Sequence, residues 1–94
     1  MARVSVALIL LLLTGSAVAA AEAPPGASSC TGCHAAGAGL DAMRPLAGRP
    51  QAEIAARMMA FKSGREPATI MDRIARGFTE DEIRAIAAWF AAQK

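Results

Sequence analysis

Both cysteines and the single histidine of this 94-residue chain fall within five consecutive positions, in the segment C-T-G-C-H at residues 30–34. Two thiols three residues apart lie on neighbouring turns of a short helix, and the imidazole follows directly. The C-x-x-C-H pattern is typical of c-type haem attachment, in which the thiols form thioethers and the histidine binds the iron. The spacing therefore predicts a covalent haem c held by Cys30 and Cys33, with His34 as an axial ligand.

Three other interpretations of these residues are weaker. A thioredoxin-like C-x-x-C pair normally belongs to a βαβ pattern, and no segment of the chain has the pattern of a strand. A closed zinc site needs four ligands, and this segment offers three. A structural disulfide is chemically possible in an exported protein. The added histidine favours the haem interpretation.

The N-terminus has the pattern of a secretory signal peptide. Arg3 precedes an apolar run at residues 4–13, and a small-x-small sequence follows at 17–19. Cleavage after any of residues 19–21 fits this pattern, and we take residues 1–21 as the signal peptide. A retained anchor is the alternative, but the run is shorter than the roughly 20 apolar residues that span a membrane. The leader predicts a periplasmic protein without a membrane span in its mature chain.

The mature chain, residues 22–94, is expected to form one small domain. Of the 94 residues, 21 precede its start, which leaves 73. A domain of this size often needs a disulfide, a metal or another stabilising group, and a covalent haem would supply a large apolar surface for the core. Only Arg3 among the ten basic residues lies in the leader, so nine basic and eight acidic residues remain. This near-neutral charge gives no sign of nucleic-acid binding.

The pattern predicts an all-α fold, with three to four short helices wrapped around one covalent haem. A first helix is expected from residue 27 or 28 to about 36, with Ser28 as its N-cap. Further helices are expected over 51–62 and 69–76. The last helix has an S/T-x-x-E capping box formed by Thr79 and Glu82. Its expected apolar face comprises Ile83, Ile86, Ala87 and Phe90, with Trp89 beside them.

Two further features of the haem site can be predicted: the sixth ligand of the iron and the group that orients the ring of His34. Without a second histidine, a methionine is the expected sixth ligand. Met71 is favoured because it follows a Gly/Pro loop from which it can approach the far side of the ring; Met58 fits core packing better. The other methionines and an open or water-bound site stay open as alternatives. The carbonyl of Pro45 is expected to accept a hydrogen bond from the ring of His34, and a proline that only shapes the loop is the alternative.

The chain resembles class I cytochromes c. The resemblance rests on C-x-x-C-H near the mature N-terminus, a late methionine and a capped C-terminal helix that ends in aromatic residues. The segments P-L-A-G at 45–48, A-F-K-S-G at 60–64 and T-I-M-D-R-I-A-R-G-F at 69–78 are similar to the cytochrome subunit of flavocytochrome c sulfide dehydrogenase and to related c4-type and c553-type domains. The resemblance implies the same site: haem on Cys30 and Cys33, iron between His34 and Met71, and Pro45 as the supporting carbonyl.

The resemblance also implies a function. We expect one-electron transfer by a single-haem cytochrome that accepts electrons from an FAD-containing sulfide dehydrogenase subunit. Sulfide chemistry would then occur at the flavin, and no catalytic site is expected on this chain. The alternative is a free shuttle between respiratory or photosynthetic complexes. An open-site haem enzyme or sensor, and an exported helical protein without haem, are less favoured classes.

Overall fold

The structure is a computed structural model that describes residues 22–35 and 43–94. Within these ranges the chain forms four α-helices and no strand, which confirms the predicted all-α fold. The expected signal peptide and the expected end of the first helix near residue 36 lie outside the described residues. The helices are α1 (Ala27–His34), α2 (Gln51–Lys62), α3 (Met71–Arg76) and α4 (Glu80–Ala91).

Helix α4 begins at the predicted capping box. The backbone N–H of Glu82 donates to Oγ1 of Thr79 at 3.1 Å, and the backbone N–H of Thr79 donates to Oε1 of Glu82 at 2.9 Å. Two N–H groups that the helix cannot satisfy internally are thereby paired. The expected apolar face is confirmed, since its four residues are all at most 4% exposed: Ile83, Ile86, Ala87 and Phe90.

Helix α2 matches its predicted bounds, whereas α3 is shorter than expected. Ile54 and Met58 of α2 are buried one turn apart, as the apolar spacing predicts. Helix α3 begins at Met71, two residues after the predicted start at Thr69. Its N-cap residue, Ile70, has a φ of −140°, a backbone conformation that cannot continue the helix backwards.

Helix α1 begins before the residue that the sequence suggested as its cap. The N-cap is Gly26, with a φ of 86°, so the prediction of Ser28 is wrong. A side chain at Gly26 would collide with a distant residue, because an ideal Cβ there lies 2.5 Å from Cε1 of Phe78. This close approach, together with the positive φ, requires glycine at the start of α1.

Two clusters of buried side chains hold the helices together. The first core cluster joins α1, α2 and α4, and the second core cluster joins α2, α3 and α4; Phe78 packs against both. The first comprises Ala27, Ile54, Ile86, Ala87 and Phe90, and the second comprises Met58, Ala75 and Ile83. The helix with the C-T-G-C-H segment and the helix that begins at Met71 are therefore each anchored on the α2–α4 pair.

Every helix in the described ranges falls short of the length and apolar character needed to cross a membrane.

Candidate functional site

Helix α1 places the three reactive side chains on one face. Cys30, Cys33 and His34 stand at positions i, i+3 and i+4 of the helix, and residues at these spacings lie above one another on the same side. Both cysteines are free thiols. The sequence-predicted trio is therefore brought together by the local geometry of a single helix.

Cys30 is the more protected of the two thiols. It is half-buried and packs against the first core cluster, whereas Cys33 is exposed. The Sγ of Cys30 lies 3.8 Å from the carbonyl oxygen of Gly26. Burial raises the pKa of the Cys30 thiol, because the thiolate loses solvation; hydrogen bonds at Ser29 and at the Cys30 backbone oppose this shift.

The ring of His34 is held by a backbone carbonyl. Its Nδ1 lies 2.8 Å from the carbonyl oxygen of Arg44. A carbonyl oxygen can only accept a hydrogen bond, so Nδ1 carries the proton. In the neutral imidazole the lone pair is then on Nε2, which is the form that binds a metal ion.

The hydrogen bond to His34 comes one residue earlier than the sequence suggested. Pro45 was expected to supply the carbonyl, and the structure gives that position to Arg44. The backbone N–H of Leu46 donates to the carbonyl oxygen of His34 at 3.3 Å. The Pro45 carbonyl belongs to the same trans peptide unit as that N–H and points the opposite way, so it faces away from His34.

A contact that the sequence analysis missed fixes this loop to α4. The backbone N–H of Gly48 donates to the carbonyl oxygen of Phe90 at 3.0 Å. Gly48 has a φ of 75°, and an ideal Cβ there would lie 3.3 Å from the carbonyl oxygen of Gln93. The glycine that ends P-L-A-G was a signal for a left-handed turn, but its partner could not be read from local sequence.

Met71, the expected sixth ligand, is the first residue of α3. It is half-buried and packs against the second core cluster. Met58 is a member of that cluster at 9% exposure, which confirms that it serves core packing. Met59 packs against the same cluster, and Met43 is half-buried before the loop that holds His34. Cys30 and Met71 therefore lie against different core clusters, and Phe78 contacts both of these clusters.

The donor set fits a haem of the c type. Cys30 and Cys33 are unpaired thiols on the helix face that also carries His34. Hydrogen bonding of Nδ1 to a carbonyl leaves Nε2 of His34 for the iron, which is the usual arrangement for a metal-bound histidine. Two thiols for the porphyrin edge and one oriented nitrogen for the iron match the chemistry that haem c requires.

Two curated proteins are similar to this chain. The cytochrome subunit of sulfide dehydrogenase from Chlorobaculum tepidum is 35% identical over 63 residues, which cover 66% of this chain and 57% of that protein. The thiosulfate dehydrogenase electron acceptor from Stutzerimonas stutzeri is 37% identical over 67 residues, which cover 66% of this chain and 31% of that protein. No family model and no solved structure matches the chain.

The helical fold, the C-T-G-C-H site and these similarities support a cytochrome c related to the cytochrome subunit of sulfide dehydrogenase. The names of its relatives imply a haem-type cofactor. The chain spans just over half the length of the first relative and about a third of the second.

Proposed function

We propose that this chain is an exported, single-haem c-type cytochrome that transfers one electron at a time. We further propose that it is the electron-accepting subunit of a flavocytochrome c sulfide dehydrogenase. The observation that carries the proposal is the C-T-G-C-H face of α1, with the ring of His34 fixed by the carbonyl of Arg44. A C-x-x-C-H segment is typical of c-type haem attachment, and a histidine ring fixed through Nδ1 is the usual arrangement for a metal-bound histidine.

Each site residue has one role in this proposal. Cys30 and Cys33 would hold the haem as thioethers, and Nε2 of His34 would bind the iron on one side. Met71 would bind it on the other, and thioether ligation raises a haem potential. The bound haem would supply a one-electron iron couple. If His34 and Met71 both bind the iron, no coordination site would remain open for a substrate, and the role of the chain would be electron transfer.

The proposed donor is a flavoprotein subunit that carries FAD and oxidises sulfide. The similarity to the cytochrome subunit of sulfide dehydrogenase supports this partner. Sulfide oxidation would take place at the flavin, and this chain would accept the electrons one at a time. No catalytic step is assigned to the residues of this chain.

The test is the salt dependence of the complex. Nine basic and eight acidic residues follow the leader, so the net charge of the mature chain is too small to attract a partner strongly by long-range electrostatics. A permanent subunit uses a large apolar interface, which salt does not screen. We expect the flavoprotein and this cytochrome to co-elute in size-exclusion chromatography at low and at high ionic strength. Separation into two functional proteins at modest salt would contradict the subunit proposal.

A free shuttle is the second candidate. It is favoured by the similarity to a protein named as the electron acceptor of thiosulfate dehydrogenase. A shuttle uses a small interface that dissociates readily. Rapid reduction by a dehydrogenase with which it does not co-elute would support this candidate.

Export to the periplasm is part of the proposal and has its own test. We expect the protein to be found in the periplasmic fraction with an N-terminus between residues 20 and 22, because the leader matches a signal peptide cleaved at residues 19–21. An intact N-terminus in the membrane fraction would instead show a retained anchor.

A further inference from the structure

Phe78 lies between the two parts of the chain that hold the proposed axial ligands. It follows Gly77, the C-cap residue of α3, and packs against both core clusters. Among the partly buried hydrophobic residues of the described ranges, it is the one that contacts both. The first core cluster includes Ala27 of α1, and the second is the one against which Met71 packs. A change in the side chain at position 78 should therefore alter the packing of both core clusters.

The ring touches the start of α1 directly. An ideal Cβ on Gly26 would lie 2.5 Å from Cε1, 3.0 Å from Cζ and 3.6 Å from Cδ1 of Phe78. The ring thus occupies the space that any side chain at position 26 would need. The carbonyl oxygen of Gly26 in turn lies 3.8 Å from Sγ of Cys30. The position of the Phe78 ring consequently limits how closely the helix with the thiols approaches the rest of the fold.

The backbone of Phe78 is fixed at the same time. Its N–H donates to the carbonyl oxygen of Ala75 in α3 at 3.2 Å. Its carbonyl oxygen accepts a hydrogen bond from Nζ of Lys62, at the end of α2, at 2.6 Å. A charged donor makes this bond stronger than one between neutral groups. The backbone of Phe78 is therefore held by α2 and α3, and its ring lies against Gly26 at the start of α1.

We propose that Phe78 is a positioning residue that sets the distance between α1, with His34, and α3, with Met71. In the haem-loaded protein this distance decides whether the sulfur of Met71 reaches the iron. The inference rests on the proposed function, because it requires Met71 as the sixth ligand. Close-packed cores transmit such changes, since neighbouring side chains cannot fill a gap without moving.

The first test is Phe78→Leu in the full-length, haem-loaded protein. We expect covalent haem and helix content to be retained. The sulfur-to-iron charge-transfer band of the oxidised form should weaken, and the reduced form should bind carbon monoxide that the wild type excludes. The matched control is Phe61→Leu, which removes the same volume from a half-buried ring that packs against the second core cluster alone. It should lower stability and leave the band unchanged.

The second test approaches the contact from the other side. Gly26→Ala places a methyl group where the ring stands and should also weaken the band. In the double variant Gly26→Ala/Phe78→Leu the smaller side chain makes room, so the loss should be less than the sum of the single losses. If Phe78→Leu does not accumulate, Phe78→Met carries the same spectral test, because the flexible methionine side chain fills irregular gaps in a core.

The outcomes separate this inference from the proposed function. A wild-type protein with covalent haem but without the sulfur band would overturn ligation by Met71, and with it this inference. A wild type that shows the band, together with a Phe78→Leu variant that keeps it at full strength, would overturn the positioning role alone. Equal weakening in Phe61→Leu would also overturn it, because any core defect would then have the same effect.

Discussion

The carbonyl oxygen of Arg44 lies 2.8 Å from Nδ1 of His34 and fixes the imidazole by a backbone group. A second hydrogen bond joins the same two segments, since the N–H of Leu46 donates to the carbonyl oxygen of His34 at 3.3 Å. The loop therefore holds both the ring and the backbone of the histidine. Since Gly48 ties the same loop to Phe90 of α4, the orientation of the His34 ring depends on α4.

Arg44→Ala should leave the histidine ligand intact, because the hydrogen bond uses the carbonyl and the side chain is exposed. We expect an unchanged absorption spectrum and a change in the free energy of unfolding below about 0.5 kcal/mol. Pro45→Gly should cost about 0.4–1 kcal/mol, because it gives the unfolded loop more freedom. Urea unfolding of both variants measures the difference. Loss of the haem spectrum in Arg44→Ala would contradict the backbone role.

Met71→Ala should keep the haem attached and remove the sulfur ligand. The reduction potential should fall, and small ligands should reach the iron. Met58→Ala is the comparison, because Met58 is a buried core residue and its loss should cost about 2–5 kcal/mol with little change in the ligand spectrum. A sulfur band that survives in Met71→Ala and disappears in Met58→Ala would assign the ligand to Met58.

Asp72→Asn should raise the reduction potential. This carboxylate follows Met71 directly; its Oδ2 pairs with Arg76 at 3.0 Å, and its buried Oδ1 has no hydrogen-bond partner in the described part of the chain. A negative charge near the iron favours the ferric form, so its removal favours reduction. The shift should stay below the roughly 59 mV of a tenfold change in a one-electron equilibrium, because solvent screens a partly exposed pair.

The control for Asp72→Asn is Glu80→Gln, which removes the same charge from the start of α4. Protein-film voltammetry of both variants gives the comparison. A larger shift in Glu80→Gln than in Asp72→Asn would show that net charge, and not the position beside Met71, controls the potential.

The capping box of α4 should weaken in acid. The hydrogen bonds from the backbone and side chain of Thr79 lower the pKa of the Glu82 carboxyl. Its contribution to stability is therefore present above the ordinary pKa of the group and is lost as the pH falls through the lowered, folded-state pKa. Glu82→Gln should flatten this part of the stability–pH curve, and Thr79→Ala should cost about 1 kcal/mol at neutral pH. An unchanged acid slope in Glu82→Gln would contradict this assignment.

Local sequence predicted the elements whose causes are local. The capping box and the apolar spacing of α4 depend on residues within one helix, and so does the placement of Cys30, Cys33 and His34 on one face. The start of α1 could not be predicted in this way. Ser28 is a good N-cap by type, but Gly26 takes the position because the ring of Phe78, from a distant part of the chain, lies against it.

The carbonyl that binds the His34 ring was predicted at the wrong residue for a related reason. Pro45 and Arg44 are adjacent, and the choice between their carbonyls depends on which way each peptide unit faces. The hydrogen bond from Leu46 to His34 sets that direction, and it joins two segments that are not adjacent in the chain. A pattern of residue types carries no information about peptide orientation, so the sequence could identify the loop but not the atom.

The central claim is covalent haem on Cys30 and Cys33, and mass spectrometry under denaturing conditions tests it most directly. The protein should be produced in a host that attaches haem c. We expect the mature chain to carry the mass of one haem, retained on the proteolytic peptide that contains residues 30–34. Cys30→Ala and Cys33→Ala should each weaken retention, and the double variant should lose haem altogether. An unmodified chain with two free thiols or a disulfide would contradict the claim.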